Sequence, residues 1–520
     1  MAAAYPPAFR EACRGDLDEA YDRAQGQDRE RVVFLQRGWH YVDLTLEAIE
    51  KTIPLFQAGW SFRPHVSAPA TADKRMFRAA LAAWEERERY VETLKQDFVV
   101  AYFWERYNVQ NRSFVPLNQM RAYDSSPLFS EDQVKQWRTD IRKTLLVPDP
   151  LPPVEPETHG RFEPVPEVVA EKVTYKTEFG MRVPAILYLP KQRSGKIPGL
   201  IVVNGHGGDK YSWYAFYTGI EYARAGAAVL TYDPIGEGER NTQRKSGTRA
   251  HDKLQEPEEM GRRMGGLMMT DLMQAVSYLS GREEVDPHRI GAMGYSMGSF
   301  VASLTCAVET RLRACVAVGG GNLDAPMETW DHGKPMCQGI PYRSMMFLGD
   351  RPAVLYAMRA AIGPTLVFNG TADTVVGIPP NGKELLADLQ RRTAALRGSS
   401  EGIFETGWEQ GASHRPYFVT RPVALWLERH LGFPNWSAAQ IEAMPTTHIS
   451  EWAAANSVPM DRLYADELRE GGARALGTGV PALSRSQLSV FSDEGWDKQK
   501  ERMIYETWIR EARQQLVPLR

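Results

Sequence analysis

The chain has 520 residues, room for one large domain with additions or for two to three ordinary ones. Apolar residues make up 43% and charged residues 24%, the balance of a globular protein with a sizeable core. A formal net charge of −3 leaves no electrostatic footprint for nucleic acid and no polybasic patch for anionic lipid. The four cysteines, Cys13, Cys306, Cys315 and Cys337, form no C-x-x-C pair. Their spacing suits neither a zinc site nor a disulfide framework, so reduced thiols in a cytoplasmic protein are expected. Met1 to Pro7 lacks the basic and apolar regions of a signal peptide, and no apolar run reaches the roughly 18 residues of a membrane span.

Residues 1–147 read as a helical region. Its clearest piece runs from Thr71 to Asn108, where Phe77, Leu81, Trp84, Val91, Leu94, Phe98 and Tyr102 recur at three-, four- and seven-residue steps. Such a stripe is expected to pack against the main domain, with pocket lining by the aromatics as the alternative. Residues 148–167 are rich in proline, which fixes φ and removes donors, so a linker and a domain boundary are expected there.

Residues 168–434 alternate strand and helix. Val168–Thr177 and Val183–Leu189 predict a hairpin; Leu200–Asn204, Ala227–Tyr232, Arg289–Gly294, Ala314–Val318 and Thr365–Asn369 predict strands. Ser212–Arg224, Met260–Leu279, Met297–Ala307, Gly382–Leu396 and Arg415–Leu431 predict helices. This order implies an α/β fold with a mostly parallel sheet, helices on both faces and ligands at the carboxyl ends of the strands. Residues 322–362 form a long insert that reads as an apolar lid. The run Met264, Met268, Met269 and Met273 predicts core packing. The tail, residues 435–520, reads as a helical extension. Its stripe Ile504, Trp508, Ala512 and Leu516, with Ser492 as a helix cap, predicts packing onto its own domain, a homodimer contact being the alternative.

The chemistry centres on Gly294-Tyr295-Ser296-Met297-Gly298. Gly-x-Ser-x-Gly puts a serine on a tight strand-to-helix turn, its Oγ projecting above the sheet. The pattern alone is weak, since glycine fills 43 of 520 positions. The context strengthens it: a strand, Arg289–Met293, precedes the serine and a helix, Ser299–Leu304, follows. Gly205-His206-Gly207-Gly208 after a strand supplies backbone N–H groups for a developing oxyanion. Met297 and either Gly207 or Gly208 are the expected donors. Asp373, in the loop after a late strand, is the expected acid, and His414, before the last core helix, the expected base. His206 reads as hole-shaping, and His206, Tyr295, Trp330 and Tyr342 are candidate substrate contacts. Val318-Gly319-Gly320-Gly321 lacks the spacing of a dinucleotide fingerprint. No His, Asp or Glu cluster has metal-ligand spacing along the chain.

Gly205-His206-Gly207-Gly208, Tyr232-Asp233-Pro234-Ile235-Gly236-Glu237-Gly238-Glu239-Arg240 and Val285-Asp286-Pro287-His288-Arg289-Ile290-Gly291 resemble the α/β-hydrolase superfamily. The likeness is to acetyl xylan esterase-like and dienelactone hydrolase-like proteins, and it covers Val168 to Phe433. It implies a Ser-His-Asp hydrolase of a small-molecule substrate without a metal or organic cofactor, in which Gly207, Gly208 and Met297 match the oxyanion positions. The helical regions at both ends depart from the secreted carbohydrate esterases. They are similar to those of pseudooxynicotine hydrolases and fungal polyketide-shortening hydrolases, which cleave carbon–carbon bonds next to ketones. Three readings follow: a carboxylic ester hydrolase, a C–C bond hydrolase acting on a β-diketone with the same triad, and a catalytically inactive hydrolase fold used for binding.

Overall fold

A computed structural model describes residues 5–57, 74–94, 129–252, 257–321, 323, 336–348, 350–379, 382–458 and 474–515. The chain divides into two compact units. In the first, Met1–Leu128 with Met346–Arg351, the described residues of the N-terminal part form three helices: α1 (Pro7–Arg23), α2 (Gly26–Gln57) and α3 (Lys74–Leu94). The apolar stripe of α3 is buried, but within its own unit, where packing against the main domain was expected. Phe77, Ala80, Leu81 and Trp84 bury against Ala48 and Leu55 of α2. Polar groups in this seam are paired: Trp84 Nε1 donates to Thr52 Oγ1 at 3.0 Å, and the buried Arg87 donates to Thr45 Oγ1 at 3.0 Å and to the Tyr41 hydroxyl at 2.6 Å. Phe98, Tyr102 and the rest of the expected long helix lie outside the described residues.

The second unit, Phe129–Met345 with Pro352–Arg520, begins earlier than the expected boundary at 147. Its first helix, α4 (Glu131–Thr144), is N-capped by Ser130 and buries Val134, Trp137 and Ile141. Arg138 ties it to the core by donating to the Ala307 and Met358 carbonyls at 3.2 and 3.3 Å. The Pro-rich stretch is also only partly a linker. It gives way to β1 (Glu157–Val165), the edge strand of the central sheet, where a proline such as Pro164 is tolerated because one side of an edge strand needs no donors.

That sheet has nine strands in the order β1-β2-β3-β5-β4-β6-β7-β8-β9. The strands are β2 (Val168–Lys176), β3 (Arg182–Pro190), β4 (Ile197–Val203), β5 (Ala228–Tyr232), β6 (Val285–Tyr295), β7 (Leu312–Val318), β8 (Thr365–Gly370) and β9 (Glu405–Glu409). β1 to β3 pair antiparallel, β3 meets β5 antiparallel, and every pairing from β5 through β4 and β6 to β9 is parallel. β9 was absent from the expectation because Glu-Thr-Gly-Trp-Glu is polar and half-exposed, with no apolar run to mark it. Helices α5 (Trp213–Arg224), α6 (Pro257–Ser280) and α7 (Met297–Val308) cover the sheet. α7 is buried at every residue, as its apolar composition requires.

The methionine run of α6 is core: Met264, Met268, Met269 and Met273 are all buried. Within the insert, α8 (Met336–Ser344) rests on α6 at two glycines. A Cβ at Gly261 would sit 2.8 Å from Ile340 and one at Gly265 2.5 Å from Pro341. The insert continues in α9 (Arg351–Ala360), while residues 324–335 lie outside the described set. Helix α10 (Gly382–Arg397) follows β8, and α11 (Arg421–Leu431) starts later than expected, residues 415–420 remaining loop.

The tail packs onto its own unit. Trp508 of α12 (Tyr505–Gln514) is fully buried, its Nε1 donating to Glu178 Oε2 at 3.0 Å, and Ile504 and Ala512 are buried beside it. Trp452 and Leu476 join the main core. Cys306 and Cys315 correct the expectation of four reduced thiols: they form a disulfide between α7 and β7, with Cα atoms 6.5 Å apart. Nothing in their nine-residue separation announces this; the adjacency of helix and strand does. No described helix is long and apolar enough to cross a membrane.

Candidate active site

β6 ends at Tyr295 and α7 begins at Met297, so Ser296 alone makes the turn, at φ 55° and ψ −115°. A positive φ on a residue with a Cβ is strained and needs enforcement by its surroundings. Two glycines allow it: a Cβ at Gly294 would collide with the Gly298 carbonyl, and one at Gly298 with the carbonyls of Val203, the last residue of β4, and of Asn204. Ser296 N–H donates to the Val318 carbonyl at 3.0 Å, fastening the turn to β7.

His414 and Asp373 arrive from the carboxyl ends of the neighbouring parallel strands. His414 Nε2 lies 3.0 Å from Ser296 Oγ, and His414 Nδ1 lies 2.8 Å from Asp373 Oδ2. The carboxylate beside Nδ1 selects the tautomer protonated there, which leaves Nε2 to accept from the serine hydroxyl. Asp373 is fully buried, and its other oxygen accepts from the Val375 and Val376 N–H groups at 3.0 and 3.2 Å. The two loops are laced together: Ala372 N–H donates to the Ala412 carbonyl at 2.9 Å, and Gly411 N–H to Thr371 Oγ1 at 2.8 Å. Gly370 permits this approach, since a Cβ there would overlap the Ala412 carbonyl.

Tyr295, a candidate substrate contact, is placed against the histidine instead. Its ring lies 4.9 Å from the His414 ring, and its hydroxyl donates to the His414 carbonyl at 3.3 Å. The glycine run after β7, set aside in the sequence as no fingerprint, makes room for this pair. Gly319 has φ 57°, and a Cβ on it would lie 2.9 Å from Tyr295 and 3.1 Å from His414. Asn369 clamps the run, accepting from Gly320 N–H at 2.8 Å and donating to the Gly320 carbonyl at 3.0 Å.

On the other side of Ser296 lies the glycine loop after β4. A Cβ at Gly205 would be 3.2 Å from Ser296 Cβ, so the loop passes directly beside Ser296. The Gly208 N–H is spent on the Gly205 carbonyl at 3.0 Å. Among the described residues nothing accepts from the Gly207 N–H, and Met297, at the first position of α7, has no partner within its helix. The loop is anchored by Lys210, whose buried ammonium pairs with Asp233 and, at 2.9 Å, with Glu239. Burial works against that charge, but the two carboxylates outweigh it and raise the lysine's pKa. Glu239 also accepts from Arg244 at 2.7 Å and from the tail's Val490 and Phe491 N–H groups at 2.9 and 3.2 Å. The acidic and basic members of the Asp233–Arg240 segment are therefore scaffold for the loop. Glu237, in the same segment, is pushed by burial up to about 7 although it accepts from Arg249 and Thr248 N–H groups.

The His206 side chain joins a second cluster with His251, Asp252 and Cys337. These residues come from three distant segments, which is why no spacing along the chain revealed them. Burial holds the His251 imidazole neutral, its pKa pushed down to about 4 despite the Asp252 carboxylate. Tyr342 is fully buried, its ring 6.2 Å from Phe300 of α7. Trp330 lies outside the described residues. A cleft of about 550 Å³ lies elsewhere, between Arg142, the Pro148–Pro152 stretch, Glu178 and Arg263, and contains none of these side chains.

Residues 112–319 match the acetyl xylan esterase family and residues 257–433 the prolyl oligopeptidase family. The chain is 29% identical over 195 residues to YtaP of Bacillus subtilis, 34% of this chain and 63% of that one. It is 27% identical over 186 residues to the hydrolyase poxO of Penicillium oxalicum, 36% of this chain and 37% of that one. The chain thus spans less than two thirds of the curated relatives it matches. Among solved structures, the methylesterase BT1017 aligns with a TM-score of 0.48 and 20% identity, over 75% of this chain and 76% of that one. Acetyl xylan esterase 1 from Thermoanaerobacterium aligns with a TM-score of 0.41 and 18% identity, over 58% of this chain and 93% of that one.

Proposed function

We propose that this chain, an acetyl xylan esterase-like α/β-hydrolase, cleaves a carboxylic ester of a small molecule through an acyl-enzyme on Ser296. The observation that carries the reading is the unbroken relay from Ser296 Oγ through His414 to Asp373, at 3.0 and 2.8 Å, on a backbone turn that presents the serine. In this reading Ser296 Oγ attacks the acyl carbon while His414 Nε2 takes its proton, and Asp373 holds the imidazole and balances its charge. The negative oxygen of the tetrahedral intermediate accepts from the N–H groups of Met297 and Gly207. Each such donor is worth about 3–4 kcal/mol of barrier. His414 then protonates the departing alcohol, and water, deprotonated by the same histidine, releases the acid.

A fluorophosphonate probe tests the nucleophile: Ser296 is labelled, and Ser296→Ala abolishes labelling. A folded chain without labelling overturns the reading. A panel of p-nitrophenyl acetate, butyrate and octanoate against β-diketones tests the bond. Turnover of the esters supports it, and turnover confined to the diketones replaces it with C–C cleavage by the same residues.

A further inference from the structure

We propose that His206, His251, Asp252 and Cys337 bind a divalent transition-metal ion of the zinc type, which ties the glycine loop beside Ser296 to the insert helix α8. The four ligand atoms lie within 4.8 Å of one another. His206 Nε2 is 3.2 Å from Asp252 Oδ1 and 3.3 Å from Cys337 Sγ; Cys337 Sγ is 3.0 Å and His251 Nε2 3.5 Å from the same Asp252 oxygen. Ligands about 2.0–2.3 Å from a tetrahedral ion are separated by roughly 3.3–3.8 Å, so the cluster needs little movement to close on one.

The second observation is the state of His251. Its Nδ1 faces the Ile235 carbonyl at 3.0 Å, and a carbonyl can only accept, so the proton sits on Nδ1. That leaves the lone pair on Nε2, a fully buried atom without a hydrogen-bond partner, aimed at the cluster. A carbonyl bond to the far nitrogen is also the usual way a protein orients a metal-binding imidazole.

The geometry separates this site from a second catalytic relay. In a Cys-His-Asp relay the acid and the thiol occupy opposite nitrogens of the imidazole, as Asp373 and Ser296 do at His414. Here Asp252 and Cys337 both crowd Nε2 of His206. Convergence of donors on one point suits a shared cation. Imidazole with thiolate and carboxylate is a donor set for zinc rather than for calcium or magnesium. Four protein ligands fill the tetrahedron, so the ion is structural and takes no part in the ester reaction. On binding, the Cys337 thiol gives its proton to solvent and its sulfur lone pair to the ion.

Cobalt(II) titration of the chelator-treated full chain tests this. One equivalent binds saturably, with the visible absorption of a four-coordinate centre and a thiolate-to-cobalt charge-transfer band, and zinc(II) displaces it. Cys337→Ser removes the charge-transfer band, whereas Cys13→Ser keeps it. His251→Ala weakens binding by more than about 100-fold, beyond what loss of an outer-shell partner costs. Circular dichroism reports whether each variant is folded; where His251→Ala is not, His206→Gln is read in its place. No saturable binding at micromolar cobalt, or a charge-transfer band that survives Cys337→Ser, overturns the site. Unlabelled Ser296 in a chain that binds the metal counts against the hydrolase reading alone.

Discussion

Ser296 stands between two loops secured in different ways. On the acid–base side, the loops carrying Asp373 and His414 are joined by neutral backbone bonds and by the close approach that Gly370 permits. On the opposite side, the glycine loop is fixed by ions: Lys210 with Asp233 and Glu239, all fully buried. Neutral lacing holds the imidazole at a fixed distance and asks nothing of pH. Ionic anchoring depends on every partner keeping its charge and fails sharply when one is removed. Substitutions on the first side should therefore register in turnover, and those on the second in folding.

The largest expected effect is on the proposed nucleophile, which both sides share. Ser296→Ala lowers kcat on a responsive ester by about 10⁴–10⁶-fold with the melting temperature nearly unchanged, as steady-state kinetics and calorimetry would show. On the ionic side, Lys210→Met leaves Asp233 and Glu239 buried without their cation and costs about 3–5 kcal/mol of stability, read from denaturant unfolding. A loss confined to kcat would erase the distinction between the two sides. On the neutral side, Gly319→Ala drives a Cβ against Tyr295 and His414; a displacement of that size costs about 10²-fold in kcat. Its expected signature is a fall in kcat larger than any change in KM.

The smallest effect is the pH dependence of stability. Glu237 and Glu178 are each raised by burial from 4.5 to about 7, so between those values the folded chain holds protons that the unfolded chain has released. Their contribution to stability is full below about pH 4.5 and is lost as pH rises through 7. Melting temperature should therefore decline across that window, and Glu237→Gln should make the decline shallower. A melting temperature that rises from pH 5 to 7 in both proteins would contradict it.

Much of this was legible in the chain because local physics leaves local marks. The alternation of apolar runs with helical periods announced the parallel sheet, and the glycines around Ser296 announced a turn that only they permit. β9 was not legible, since a polar edge strand buries too little to leave an apolar pattern. The role of Gly319 was hidden because it concerns Tyr295 and His414, which meet only after folding. The same holds for His206, grouped at first with substrate contacts. Its partners stand at 251, 252 and 337, and the periodicities along the chain do not reach that far. The disulfide of Cys306 and Cys315 was missed for a related reason, since the turn between helix and strand sets their approach.

Glu239 completes its hydrogen bonds only with Val490, Phe491 and Trp496. On the ribosome those residues emerge long after the sheet strands and after Ser296 itself. Until then the Glu239 carboxylate has only Lys210 and Arg244 as partners, and Asp233 is the other anchor of the loop. Domains fold as units while the chain is being made, and here a late segment closes onto an earlier loop. A chain truncated before Val490 should carry every residue of the relay and still label more slowly with the fluorophosphonate than the full sequence does.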